Sequence, residues 1–136
     1  MRFERQSILS TIRLRGDMCP VVFDGTLNKE IFAHYIKTQL SPTLSSEDIV
    51  LLDNSSVHTS ELVKKTFEEC GIKYLYLPRY SPDYNPIELL WARIKSILRK
   101  LKARTKDKLE SAIKCALDSV EPEFIEGWFR HCGYGL

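Results

Sequence analysis

Residues 49–78 read IVLLDNSSVHTSELVKKTFEECGIKYLYLP. The continuous apolar run Ile49 to Leu52 suits a short strand buried on both sides, as in a parallel sheet. Ser60 stands where it would cap a helix, Leu62, Val63, Thr66, Phe67 and Cys70 recur along one helical face, and Gly71 follows where left-handed backbone is least strained. Tyr74 to Leu77 reads as a second short strand. Strand, helix and strand over about 30 residues make a βαβ crossover, which brings Leu52-Asp53 and Leu77-Pro78 side by side at one end of a parallel sheet. Ligands commonly bind outside that end.

Upstream, Ser7 to Leu14 and Cys19 to Phe23 flank Arg15-Gly16-Asp17-Met18 and read as a hairpin, closed by Asp24-Gly25. Asn28 is placed to cap a helix carrying Ile31, Phe32, Tyr35, Ile36 and Leu40, and that helix should stop before Pro42. Downstream, Ile87, Leu90, Trp91, Ile94, Ile97, Leu98 and Leu101 form a stripe at the 3.6-residue period, predicting a long helix from Pro86 to Lys102. A further helix is expected from Thr105 to Val120, and a short one opens near Pro122 with Phe124, Ile125, Trp128 and Phe129. The tail from His131 has no readable pattern. The order predicts an α/β domain with a mixed sheet flanked by helices.

A chain of 136 residues, 43% apolar, fits one compact domain with a single core. No apolar run is long enough to span a membrane, and the start lacks the pattern of a signal peptide, so the expectation is a cytoplasmic protein without a membrane partner. Cys19, Cys70, Cys115 and Cys132 form no Cys-x-x-Cys pair and read as reduced, mostly buried thiols. The net charge is only +2, yet eight basic residues lie between Arg93 and Lys108 against one acid, Asp107. Such a stripe is either a solvated face or the footprint of a phosphate backbone.

Two carboxylates stand out. Asp53 ends the Ile49 strand, and Glu88 begins the long helix in Asn85-Pro86-Ile87-Glu88. Carboxylates from separate elements are what two-metal phosphodiester cleavage requires, and hard oxygen ligands suit Mg²⁺. Glu88 also fits a capping box, with Asn85 as N-cap and Pro86 as the first helical residue. The pair Asp53-Asn54-x-x-x-His58 and Ser81-Pro82-x-x-Asn85-Pro86-x-Glu88-x-x-Trp91 resembles the catalytic domain of DDE transposases of the mariner-type and bacterial insertion-sequence superfamily. That resemblance covers roughly Ser7 to Gly135. It implies an RNase H-like fold, with Asp53 and Glu88 as the second and third catalytic acids, binding Mg²⁺ or Mn²⁺ as a two-ion site. Asn54, His58 and Asn85 would line the pocket or orient its loops, although His58 could equally cap the next helix or face solvent. Tyr80, Pro82 and Tyr84 would shape the loop leading to Asn85.

Taking about 100° per residue from Ile87, Glu88 falls at about 100°, Lys95 at about 80°, Arg99 at about 120° and Lys102 at about 60°. DNA, as transposon end and target, could therefore run from Glu88 along Lys95, Arg99 and Lys102. In the family the first aspartate lies on a central first strand, and this chain begins after it; Asp17 and Asp24 do not match that position. The expectation is one N-terminally truncated catalytic domain, residues 1–136, missing that strand and inactive or nearly so alone. The strands flanking the gap would keep unpaired edges. Such a product would be marginal in stability, would self-associate, would pair its hairpin directly with the Ile49 strand, or would take the strand and aspartate from an upstream polypeptide. An active form would be a homo-oligomer. The rival readings are a non-catalytic DNA-binding remnant and a structural α/β module in which Glu88 is only a cap.

Overall fold

The computed structural model describes residues 1–3, 6–78, 85–101 and 106–134. The loop residues Tyr80, Ser81, Pro82 and Tyr84, and Lys102 of the proposed basic face, lie outside the described residues. In chain order the elements are strands β1 (Arg2–Phe3), β2 (Gln6–Leu9) and β3 (Val21–Asp24), helix α1 (Lys29–Tyr35), strand β4 (Ile49–Leu52), helix α2 (Glu61–Glu69), strand β5 (Lys73–Tyr76), and helices α3 (Ile87–Leu101), α4 (Lys106–Asp118) and α5 (Pro122–His131). This is a mixed α/β chain. It divides into two compact units, Met1–Thr26 with Pro86–Leu136 and Leu27–Asn85.

In the first unit β1, β2 and β3 form an antiparallel sheet in that order, with Leu9 opposite Val21 and Gln6 opposite Asp24. The predicted hairpin is present, but its strands stop at Leu9 and only an isolated bridge, Ile12 to Met18, continues the pairing. Buried polar side chains pin the end of the hairpin away from its turn: the Gln6 amide donates to Asp24, and the Ser7 hydroxyl donates to the Gly25 carbonyl. Asp24 thus anchors the end of β3. The apolar stripe of α3 supplies Leu90, Ile94 and Leu98, which pack with Ile8 and with Leu109, Ile113 and Ala116 of α4. A Schellman closure ends α5, with Tyr134 N donating to Phe129 O at 2.9 Å and Gly133 N to Arg130 O at 3.0 Å. The rings of Phe129 and Tyr134 meet edge to face beside it.

Gly16 in the hairpin turn has φ 99°, and a β-carbon there would lie 2.6 Å from Pro122 Cβ and 2.9 Å from Pro122 Cα. The backbone conformation and the close approach of α5 both demand glycine. Gly16→Ala should destabilise by about 2–4 kcal/mol, combining backbone strain with overpacking. Gly71→Ala has φ 68° but open space around it, so it should lower stability by only about 1 kcal/mol. Urea midpoints of the two variants check the ranking.

The second unit holds the βαβ crossover. β4 and β5 pair in parallel, Ile49 opposite Lys73 and Leu52 opposite Tyr76, and Leu77 N continues the ladder to Leu52 O at 2.8 Å. The Ser60 hydroxyl accepts from Val63 N at 3.3 Å to start α2. Ile72 N to Phe67 O and Gly71 N to Glu68 O then close it as a Schellman motif. Val63, Thr66 and Phe67 are fully buried, and the Phe67 ring stacks on Tyr74 at 4.7 Å. Asn28 Oδ1 caps α1 through Ile31 N at 2.8 Å. That helix widens into a π-helical turn, Ile36–Leu40, before a short 3-10 turn, Ser41–Thr43. Ser41 N reaches back five residues to Ile36 O, which spends the last donor before Pro42, a residue with no N–H to offer.

Two expectations need correction. β4 is not buried on both sides, because Ile49 and Leu51 are 54% and 40% exposed while Leu52 is buried; the side chains alternate, and α2 packs on the tyrosine face of this two-stranded sheet. Only Cys132 among the four free thiols is buried, and Cys115 is exposed. The strands lie in two small sheets, β1-β2-β3 and β4-β5, and among the described residues the hairpin does not pair with β4. α3 begins at Ile87, with Leu89 N donating to Pro86 O at 3.0 Å. No described helix is long and apolar enough to cross a membrane.

Candidate functional site

The C-terminal ends of β4 and β5 lie together, as the crossover requires, and Asp53, Asn54 and His58 gather there. The Asn54 side-chain amide donates to the Leu77 carbonyl, tying the segment after β4 to the segment after β5. Asp53 Oδ1 accepts from Ser55 N at 3.0 Å and lies 2.7 Å from His58 Nδ1. The His58 bond, with help from Ser55 and against partial burial, holds the Asp53 carboxyl well below its usual range, at about 2. An ionised carboxylate only accepts, so Nδ1 of His58 is the donor in this pair.

His58 is therefore neither a helix cap nor a solvent-facing residue. Its side chain is 20% exposed. The Phe32 ring of α1 packs on the imidazole at 4.7 Å, and the Tyr76 hydroxyl of β5 donates to the His58 carbonyl at 2.7 Å. Burial raises the Tyr76 hydroxyl above its ordinary range, so it remains a donor across the physiological pH range. Sequence reasoning missed Phe32 and Tyr76. The available signal was the two-residue period of β5, which puts Tyr74 and Tyr76 on one face.

Because the folded Asp53 carboxyl titrates below its ordinary value of 3.8, its contribution to stability is present above about pH 4 and is lost as pH falls towards 2. With the side chain 48% exposed, that contribution stays under about 1 kcal/mol. His58→Ala should raise the Asp53 titration by about one unit, as followed by carbon NMR of its carboxyl group. An unmoved titration would remove His58 as the cause.

Glu88, Lys95 and Arg99 stand on α3, in the other unit. Glu88 and Arg99 are exposed. Burial lowers the Met1 ammonium pKa, the Lys95 charge lowers it further and Glu88 opposes both. Glu88 and Lys95 thus lie within electrostatic reach of one nitrogen, as expected for residues sharing a helix face. Asn85 closes the unit Leu27–Asn85, just before α3.

Asp53 fits a hard divalent cation: an anionic carboxylate at a strand end, half open to solvent and oriented by two hydrogen bonds on one oxygen. Glu88 offers a second exposed oxygen donor set. Among the described residues no group of three His, Cys, Asp or Glu side chains could hold a metal ion.

Comparison with known proteins gives a consistent result. The sequence family described as DDE superfamily endonuclease matches residues 1–110; such endonucleases generally use divalent metal ions. The chain is similar to the Transposable element Tcb1 transposase of Caenorhabditis briggsae, 27% identical over 116 residues that cover 79% of this chain and 42% of that protein. It is 36% identical over 84 residues to the Transposable element Tc1 transposase of Caenorhabditis elegans, covering 59% of this chain and 31% of the relative. The Transposable element Tcb2 transposase of Caenorhabditis briggsae is 25% identical over 115 residues, 82% of this chain and 42% of its own length. The chain spans less than half the length of each of these relatives.

Proposed function

Because the chain belongs to the DDE superfamily endonucleases, we propose that it forms the C-terminal part of a transposase catalytic domain, acting in DNA cleavage and strand transfer. The observation that carries this reading is the Asp53 carboxylate, ionised, half open and oriented by His58 at the end of β4. Asp53 and Glu88 would be two of three acid ligands of a pair of Mg²⁺ or Mn²⁺ ions. Bound cations would supply activation of the attacking oxygen and neutralisation of the leaving one. The protein's own part is to hold Asp53 anionic and fixed, to fix the loop after β4 through Asn54, and to present Lys95, Arg99 and Lys102 to the phosphate backbone.

The third acid would come from a polypeptide segment outside these 136 residues, completing one RNase H-like domain. We place the working form in the cytoplasm as a homo-oligomer on transposon-end and target DNA. The test is Mg²⁺- or Mn²⁺-dependent nicking of transposon-end DNA by the chain combined with that segment, lost in both Asp53→Ala and Glu88→Ala.

One observation favours a second reading, a non-catalytic DNA-binding remnant: the described residues alone assemble no three-ligand metal group. Salt-dependent DNA binding separates the two contributions. Arg99→Ala should lower the slope of log affinity against log salt by about one, the loss of one phosphate contact. An unchanged slope would take Arg99 out of the DNA interface. If Glu88→Ala leaves binding intact and no nicking is seen under any metal, the remnant reading stands.

A further inference from the structure

Three elements of the unit Leu27–Asn85 converge on one histidine, His58. From α1 the Phe32 ring, 7% exposed, packs on the His58 ring at 4.7 Å; from β5 the Tyr76 hydroxyl holds the His58 carbonyl at 2.7 Å; and His58 Nδ1 reaches Asp53 Oδ1 at 2.7 Å. One contact fixes the plane of the ring, another fixes its backbone, and the remaining freedom is spent on the carboxylate. Tyr76 is half-buried and braced by its neighbours, since its ring meets Tyr74 edge to face at 5.7 Å and Tyr74 stacks on the buried Phe67.

Resting on the reading of Asp53 as a metal ligand, we propose that Phe32 and Tyr76 are positioning residues. They hold His58, and His58 holds the Asp53 carboxylate in the orientation from which it meets a cation. Phe32 meets the His58 ring and Tyr76 the His58 carbonyl, so each acts through His58. Outer-shell partners of metal ligands characteristically change affinity by about 10–100-fold when removed, a result that ligand lists drawn from acidic residues alone would not anticipate. The aromatic ring of Phe32 adds a preference for one ring orientation, because the two ring planes are tilted by 47° rather than stacked flat.

The test uses the whole chain and two NMR readouts. Without metal, the imidazole nitrogens of His58 should show a single tautomer with the proton on Nδ1. Tyr76→Phe, which removes one hydroxyl and keeps the ring, and Phe32→Leu should both move them towards the averaged values of free histidine. With Mn²⁺ as the probe, paramagnetic broadening at the amides of Asp53 and Ser55 should need about tenfold more metal in Tyr76→Phe. In a His58→Ala background Tyr76→Phe should shift the Mn²⁺ midpoint no further, because the Tyr76 bond reaches Asp53 only by way of the His58 side chain.

Unchanged imidazole nitrogens and an unchanged Mn²⁺ midpoint in both variants overturn the proposal, as does an equal loss from Tyr76→Phe when His58 is already absent. Failure of the underlying reading looks different. The wild-type amides of Asp53 and Ser55 would then stay sharp with Mn²⁺ while the imidazole still responded to Tyr76→Phe, leaving the cluster a structural brace and ending its role towards metal.

Discussion

Asp53→Asn is expected to lower metal-dependent strand cleavage by at least about 10³-fold in the completed enzyme. Removing a single preorganised electrostatic group from an active site already lowers turnover by about 10²–10³-fold, and a carboxylate that binds the ion directly contributes more than that. The substitution keeps the shape of the side chain and leaves an oxygen to accept from Ser55 N. It removes the charge that a hard cation requires. Since Asp53 is 48% exposed, folding should hardly change, so lost cleavage with an unaltered urea midpoint isolates the chemical role. Glu88→Gln should behave alike. If Glu88 served only as a favourable charge in the first turn of α3, the change would lower stability by about 0.3–1 kcal/mol and leave nicking intact. Gel assays of nicked product against time, with urea titrations of the same samples, distinguish the two.

Phe67→Ala should have the largest effect on folding, about 3–5 kcal/mol. Phe67 has no exposed surface and stacks on Tyr74 at 4.7 Å, so truncation leaves a cavity between α2 and β5. Against a total stability of about 5–15 kcal/mol for a typical domain, that loss would leave much of the unit Leu27–Asn85 unfolded near physiological temperature. The neighbouring Leu62 is the control. It lies on the same helix but is 38% exposed, and Leu62→Ala should lower stability by less than about 1 kcal/mol. Circular dichroism in urea reads both. Similar losses from the two variants would mean that Phe67 does not anchor α2.

The consequence extends to the site. Phe67 supports Tyr74, Tyr74 meets Tyr76, and Tyr76 holds the His58 carbonyl. A core substitution more than one shell from Asp53 should therefore loosen the carboxylate as well as the fold.

What could be read from residue patterns was whatever depends on neighbours in the chain. Ser60, the Val63-Thr66-Phe67 face and Gly71 predicted α2 with its cap and its Schellman end, because caps and helical periods are local. The parallel pairing of Ile49–Leu52 with the strand after Gly71 followed from chain topology. The Asp53–His58 contact was not readable, since a five-residue separation matches neither a helix nor a strand period and depends on the path of the loop through Ser55. Phe32 reaches His58 from 26 positions away, and Gly16 meets Pro122 across most of the chain; side-chain periodicity carries no information on such approaches. The exposure of Ile49 and Leu51 was misread because an apolar run looks the same whether one face or both is covered. Cys132 to Tyr134 lacked a readable pattern because their order comes from a backbone motif around Gly133 rather than from an apolar stripe.

We propose that Asp53 and Glu88, 35 positions apart in the sequence, are both ligands of the catalytic metal. The most direct measurement is a Mn²⁺ titration of the labelled chain, following the amide resonances of Asp53 and Glu88 together. One common midpoint is predicted, with Asp53→Asn weakening the broadening at Glu88 as well as at its own position. Broadening at only one of the two, or at both with unrelated midpoints and no effect of Asp53→Asn on Glu88, would contradict it.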